Sequence, residues 1–358
     1  MPIQGFTRLR KHQFARQPSF GNKVAATRAY PFSGTPSVDL AWTDPEIDAG
    51  SRDPVAAPYR GPEDLTASLT DPALAYNNIP ALMCAFFGGE VVPTGGGTAK
   101  TWTHDAASVT VDDPDPFTYE FGDDVLTDWF QLGDGILESV EFHGPDGLGP
   151  IDTSMTWRFG SASSTGSTDS PVEGTVPTPD LNVATNDAIV YLKDMAIYIA
   201  DDVAGLAANQ ITDALHEFTL RLNQEIDQKR FANGDQSFDI DAYGPGARAI
   251  ELECVWAKTS QTVGTGSEAD DWFSDEAVNR FVQLKFISKV VAQTPSTFYA
   301  WTVTMPMRYY TREEGDIGGN TTVVLTGHAF YDPDDFEGVF ESVAVTTIDE
   351  ATVGTITS

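Results

Sequence analysis

Residues 117–159 and 282–331 read as two copies of one pattern, and that duplication restricts the fold more than any other feature of the chain. The first copy runs FTYEF, then LTDWFQLGDGILESVEF, a glycine-rich stop and TSMTWRFGSA. The second runs VQLKFIS, then STFYAWTVTMPMRYY, a glycine-rich stop and TTVVLTGHAFYD. Each reads as a short strand, a long strand or strand pair, a glycine turn and a closing strand. Upstream, each copy has a strand (SVDLAW; HEFTLRL), a long irregular loop, a second strand (DLTASL; RAIELECVW) and a short helix. The offset between copies drifts from about 165 to 185 residues, far too long a period for a solenoid. A β-unit used twice points to a builder of rings or tubes rather than to a pocket enzyme.

The alternation within each strand assigns the core. Leu65, Ala67 and Leu69 share a face, as do Phe117, Tyr119 and Phe121, then Ile136, Val140 and Phe142, and Met155, Trp157 and Phe159. In the second copy Phe218, Leu220 and Leu222 oppose Glu217, Thr219 and Arg221, and Ile250, Leu252, Cys254 and Trp256 oppose Glu251 and Glu253. Hairpin spacing throughout implies antiparallel sheets packed as sandwich-type units. Asp71-Pro72 reads as a helix N-cap with proline at the first helical position, and Ala81–Phe87 as an apolar helix stopped by Gly88-Gly89. Ser274-Asp275-Glu276 reads as the cap of a second short helix reaching about Phe281. Residues 43–63 are a long loop rich in Pro, Gly and Asp, and residues 160–180 a Ser/Thr/Gly/Pro linker between the copies.

The charge is extreme and uneven: 21 basic residues stand against 53 acidic ones, a net of −32. No acid precedes Asp39, whereas Arg8, Arg10, Lys11, Arg16, Lys23 and Arg28 all do. Residues 1–35 therefore read as a basic arm on an acidic body, suited to docking on a neighbouring subunit. Such a body does not grip nucleic acid, which needs Lys and Arg to displace counterions from phosphate. At physiological salt its repulsion of DNA reaches only about 8 Å, so it matters inside a narrow channel. Adaptation to a high-salt host gives the same composition.

No apolar run approaches the roughly 18 residues that span a bilayer, and MPIQGFTRLRKHQF lacks the apolar centre of a secretory signal. Cys84 and Cys254 read as two buried thiols, with no disulfide framework and no metal cluster. The five histidines are scattered and no HExxH or CxxC occurs, so no zinc site is expected. The acid clusters at 112–116, 238–241 and 331–337 lack the EF-hand register. GxSxG, a phosphate-binding loop and a dinucleotide fingerprint are absent. No enzyme, cofactor or metal is expected.

The order of these features resembles the major tail tube protein of long-tailed (siphovirus-type) phages and tailed archaeal viruses. The stretches that carry the resemblance are SVDLAW…DLTASLTDPALAYNNIPALMCAFFGG, FTYEFGD…FQLGDGILESVEFHGPDG…SMTWRFG, ALHEFTLRLNQ…GARAIELECVWAK and WTVTMPMRYY…TTVVLTGHAFYD. They cover most of residues 36–347. The resemblance implies a mainly β fold: duplicated tail-tube-type antiparallel β-sandwich or barrel units, each with one short helix, plus an extended N-terminal arm. The implied division is an arm over 1–35, a first unit over 36–175 with a stacking loop at 43–63, and a second unit over 176–358. Six such units make a ring in this family, so two units per chain imply homotrimeric, pseudo-sixfold rings, with homohexamers as the alternative. The rings stack head to tail through the arm and loop, which makes Arg8, Arg10, Lys11, Arg16, Arg52 and Tyr59 interface candidates. Glu138, Glu141, Glu251 and Glu253 alternate with core residues and are candidate lumen acids. The implied partners are other copies of the chain and the tail terminator and tail tip proteins. A tape measure protein and genomic DNA pass through the lumen unbound, and no membrane is involved. The implied location is the virion tail, with assembly in the host cytoplasm.

Two other classes compete with this reading. One is an acidic secreted β-sandwich carbohydrate-active enzyme, since any two of many carboxylates can make a hydrolytic pair. The other is a calcium-dependent adhesin module.

Overall fold

Long alternating strands dominate the chain in its computed structural model. The structure describes residues 10–26, 28–43, 59–88, 94, 99–105, 116–123, 128–145, 147, 149–164, 189–212, 214–226, 245–258, 280–293, 297–330 and 339–345. The first strands are β1 (Arg10–Arg16), β2 (Arg28–Tyr30), β3 (Ser33–Thr43) and β4 (Tyr59–Asp71). Helix α1 (Ile79–Phe87) follows, then β5 (Ala99–Asp105), β6 (Phe117–Asp123), β7 (Asp128–Gly144), β8 (Asp152–Phe159) and β9 (Ser161–Ser164). The rest are β10 (Met195–Ala200), β11 (Gln210–Ile211), β12 (Leu215–Ile226), β13 (Pro245–Ala257), β14 (Arg280–Gln293), β15 (Thr297–Ile317), β16 (Asn320–Ala329) and β17 (Val339–Val345). The protein is mainly β, with a large antiparallel sheet and one helix among the described residues.

One pairing scheme occurs twice. In the first set β1 pairs with β2 and β6, β6 with β7, β7 with β9 and β8, β8 with β4, and β4 with β3. In the second set β10 pairs with β11 and β14, β14 with β15, β15 with β17 and β16, β16 with β13, and β13 with β12. The long strands β7 and β15 hold equivalent places. The first part of each pairs with one set of strands and the last part with another. A bulge marks each transition, at Leu137/Ser139 in β7 and at Tyr309/Thr311 in β15. An extra residue on one strand breaks the ladder locally and bends it, which lets one strand serve two layers.

Two links join the sets. The end of β7 pairs antiparallel with β12, from Phe218 opposite Gly144 to Asn223 opposite Ser139. Strand β5, which follows α1, pairs with β17 of the second set. The first link fuses eight strands edge to edge in the order β3-β4-β8-β7-β12-β13-β16-β15. The other strands and the first halves of β7 and β15 form the second layer.

Most of the core lies between the layers in one large cluster, with a small separate cluster at Ala200, Leu206 and Phe281. Ile136, expected to share a face with Val140 and Phe142, instead lies opposite Arg158 and packs with Phe20 and Ile226, because the bulge at Leu137/Ser139 shifts the alternation. Phe14 stacks on Tyr119 at 4.6 Å and packs on Trp157 at 4.9 Å between ring centres. In the second set Phe286 packs on Phe218 at 5.7 Å and on Trp301 at 5.1 Å. Phe142 reaches Trp301 at 4.9 Å and carries the core across the β7–β12 seam. Every residue of α1 is buried, so its apolar sequence reflects burial on all sides. Gly88 ends the helix at φ 72°, and Arg248 of β13 donates Nη2–H to the Phe87 carbonyl at 2.9 Å. That cation serves an orphan carbonyl at the negative end of the helix. On β5, burial pushes His104 down to about 4 and keeps it neutral.

Several expectations need correcting. The stretch read as an arm is in part structural: β1 and β2 fill the places that β10 and β11 fill in the second set. Residues 17–26 then fold over the outer face of β6 and β7. Gly21 N–H donates to Asp134 at 2.7 Å and Val24 N–H to Thr118 at 3.1 Å, while Gln131 donates to Glu120 at 3.0 Å. Both faces of β6 are therefore covered, and burial raises the Glu120 pKa despite hydrogen bonds from Ala26 and Gln131. Asp71-Pro72 does not start a helix. Asp71 accepts from Ala73 N–H at 3.1 Å in a turn, and α1 begins at Ile79. The loop expected at 43–63 gives up its ends to the β3–β4 hairpin, where Thr43 faces Tyr59. Ser161–Ser164 of the expected linker is β9. Arg280 and Phe281 open β14, and the rest of the second expected helix lies outside the described residues, as do nearly all residues of the three acid clusters.

Both cysteines are buried, and burial raises the Cys254 pKa far above its ordinary value. The native protein is therefore expected to leave both thiols unmodified by a maleimide or aromatic disulfide reagent, and to react fully once denatured. Mass spectrometry of labelled native protein checks this; rapid native labelling would contradict it.

Candidate functional site: the polar face of the eight-stranded sheet

Period-two alternation gives the eight-stranded sheet one apolar face toward the core and one polar face away from it. The polar face carries Asp64, Thr66, Ser68 and Thr70 on β4, Ser154, Thr156 and Arg158 on β8, and Glu138, Glu141 and His143 on β7. It continues with Glu217, Thr219, Arg221 and Asn223 on β12, Glu251 and Glu253 on β13, and Thr326 and His328 on β16. Glu138, Glu141, Glu251 and Glu253 all lie on this face.

Arg221 organises the centre. The register sets it directly opposite Glu141 on one side and Glu251 on the other. Its Nε–H donates to Glu141 at 2.8 Å, and Nη1 donates to Glu251 at 2.7 Å and to Glu253 at 3.2 Å. Partial burial disfavours the guanidinium charge, but the three carboxylates outweigh it and raise the Arg221 pKa. Glu251 also accepts from the Tyr310 hydroxyl at 2.8 Å, and Tyr310 lies flat on His328 with ring centres 4.3 Å apart. Burial raises the Glu251 pKa, yet the bonds from Tyr310 and Arg221 win and hold it below the usual carboxylate range.

A second cluster ties the two strand sets together. His143 of β7 meets Asp152 of β8 at 3.0 Å through Nδ1 and Glu217 of β12 at 3.1 Å through Nε2. Partial burial lowers the His143 pKa, and the two carboxylates more than reverse this, so the net shift is upward. A raised folded-state pKa gives stability that is fully present below the unfolded value, about 6.5, and is lost as pH rises through the folded value. His143→Gln is therefore expected to flatten the dependence of the melting temperature on pH in that window and to lower it most on the acid side. An unchanged pH profile would contradict the bridge.

Further along, Arg158 meets Glu138 at 2.8 Å and Asp64 at 3.5 Å. Between these groups lies a shallow depression of about 340 Å³, floored by Ser68, Thr70, Ser139, Ser154 and Thr156 and edged by Glu141 and Arg221. Its hydroxyls and committed ion pairs offer no nucleophile–base pair. Among the described residues no group of three His, Cys, Asp or Glu is placed to hold a metal ion.

The counter-charges were the part that sequence reasoning missed. Arg221 alternates with core residues just as the acids do, but its role depends on which strands flank β12. The basic interface candidates fall elsewhere. Arg10, Lys11 and Arg16 lie on β1 in the second layer, where Arg10 faces Asp123, while Tyr59 starts β4 in the eight-stranded sheet. Arg8 and Arg52 lie outside the described residues.

No protein-family model matches the chain, and no curated protein matches it. Among solved structures, the chain is similar to the SPP1 tail tube, determined by solid-state NMR and cryo-EM. The match has a TM-score of 0.27 and 11% identity, and covers 47% of this chain and 87% of that one. A TM-score that low carries no functional weight.

Proposed function

We propose that this chain is a structural virion protein, the repeating subunit of a hollow tail tube that conducts a viral genome. One observation carries the reading: a sandwich unit is used twice, and the two uses are already fused edge to edge into one sheet by β7 and β12. The ends of that sheet are β3 and the last part of β15. Among the described residues β3 pairs only with β4, and β15 beyond Met307 pairs only with β16. Open edges are a liability in solution and a joint in an assembly. Closing them chain to chain makes a ring with no edges. Three chains supply six units, so the proposed ring is a homotrimer with pseudo-sixfold symmetry, and a homohexamer is the alternative.

In this proposal the polar face lines the channel. Its carboxylates outnumber its arginines, and Arg158 and Arg221 are committed to ion pairs, so the face as a whole is poorly suited to hold phosphate. DNA and a tape measure protein slide past without being bound. Rings stack head to tail through the β3–β4 hairpin and the first residues of the chain, and terminator and tip proteins close the ends. Assembly takes place in the host cytoplasm and the product is part of the virion. No step is catalytic.

Sedimentation and negative-stain electron microscopy across protein and salt concentration test the proposal. Rings or hollow rods support it. A monomer under every condition would overturn it.

A further inference from the structure

The seam inside the chain is a template for the seam between chains. We infer that β3 of one copy pairs antiparallel with the end of β15 of the next, in the register Ser37 opposite Glu313 and Asp39 opposite Thr311. This inference rests on the ring reading above and adds which residues meet.

The register follows from aligning the two strand sets through their bulges. Glu138 is the extra residue between Leu137 and Ser139, and Tyr310 the extra residue between Tyr309 and Thr311. That alignment sets Leu137 against Tyr309. The partners of these residues then correspond in turn: Trp157 with Gly327, Ala67 with Leu252, and Pro36 with Leu220. Every step across four strands agrees, so β3 holds the place of β12 and the end of β15 the place of the end of β7. Within the chain, Leu220 lies opposite Phe142, Arg221 opposite Glu141 and Asn223 opposite Ser139. Transferring those pairs gives Pro36 opposite Glu314, Ser37 opposite Glu313 and Asp39 opposite Thr311 of the neighbour.

A second copy is the occupant that fits. The two edges lie at opposite ends of one sheet, so each contact leaves another open, which is head-to-tail geometry that closes into a ring. The chemistry of the two seams differs. The internal seam carries the Arg221–Glu141 pair at 2.8 Å. The equivalent place between chains holds Ser37 and Glu313, with Asp316 and with Glu314, which pairs with Lys258 at 2.7 Å, beside them on the edge. The internal seam is thus locked by an ion pair, and the outer one depends on backbone pairing at an acidic edge. Acids on the edge, and Pro36 with no N–H to offer, discourage indiscriminate pairing before assembly.

Cysteine cross-linking tests the register. The double variant Ser37→Cys/Glu313→Cys is oxidised under assembling conditions and run on a non-reducing gel, with Thr35→Cys/Glu313→Cys as a pair displaced by two residues. Directly opposed residues lie within disulfide reach, whereas diagonal ones sit at about 7–8 Å. The expected result is loss of the monomer band and a ladder ending at the closed ring for the first pair, with monomer retained for the second. A ladder from the displaced pair, or none from the first in preparations that show tubes, would overturn the register and leave the tube reading standing. Monomer by sedimentation for the unsubstituted chain and both variants would overturn both.

Discussion

Replacing Trp301 with alanine is expected to cost about 3–5 kcal/mol, among the largest losses from a single truncation in this core. Its side chain is fully buried. It stacks on Phe286 within the second strand set and meets Phe142 of the first at 4.9 Å. The loss therefore falls on the contact that makes one core of two units. A fall in the urea midpoint of roughly 1 M or more is the expected reading. Trp301→Phe is expected to keep most of the stability, because it preserves the stacked ring and removes a buried indole N–H that has no partner among the described residues. Tyr310→Ala, at an exposed position on the polar face, is expected to shift the midpoint far less. Equal effects at Trp301 and Tyr310 would contradict this placement of the core.

The second large effect is expected at Gly144. It lies opposite Phe218 in the β7–β12 seam, and a Cβ there would come within 2.3 Å of the Phe218 ring. Phe218 is fully buried, so its ring has nowhere to retreat. Gly144→Val is expected to destabilise by about 1–3 kcal/mol or more through overpacking. Amide hydrogen exchange is expected to speed up across β7 and β12 before it does elsewhere. Gly149→Ala is the control, since its added Cβ meets nothing closer than 3.5 Å. Adding Phe218→Leu to Gly144→Val is expected to recover part of the loss, a coupling that independent sites do not show. Exchange that rises uniformly over the chain would contradict a seam-specific effect.

The repeat was legible in the sequence because aromatic and aliphatic residues alternate through β6, β8 and β13 and through most of β7, β14 and β16, where pairs such as Ile136-Leu137 and Phe281-Val282 break the period. That alternation also placed Glu141, Glu251 and Glu253 opposite core residues, whereas Glu138, in step with Val140 and Phe142, reaches the same face only through the bulge at Leu137/Ser139. Strand β1 was not legible. RKHQFAR has little apolar alternation, and His12 and Gln13 are buried because Tyr119 receives one and residues 17–26 cover the outer layer. A strand covered by polar contacts on one side leaves no period-two signal. The seam was hidden for another reason: which strands flank β12 is a property of topology. Arg221 therefore looked like one more surface cation until Glu141, Glu251 and Glu253 were found around it. Asp71-Pro72 misled because an aspartate side chain closes a turn with the same hydrogen bond that it uses to cap a helix.

Cryo-electron microscopy of assembled protein tests the central claim most directly. The expected map is a hollow cylinder with a continuous inner β-barrel, Glu141, Glu251 and Glu253 facing the channel, and β3 of each chain beside β15 of the next. Particles in which these two strands stay apart, or in which those acids face the exterior, would contradict it.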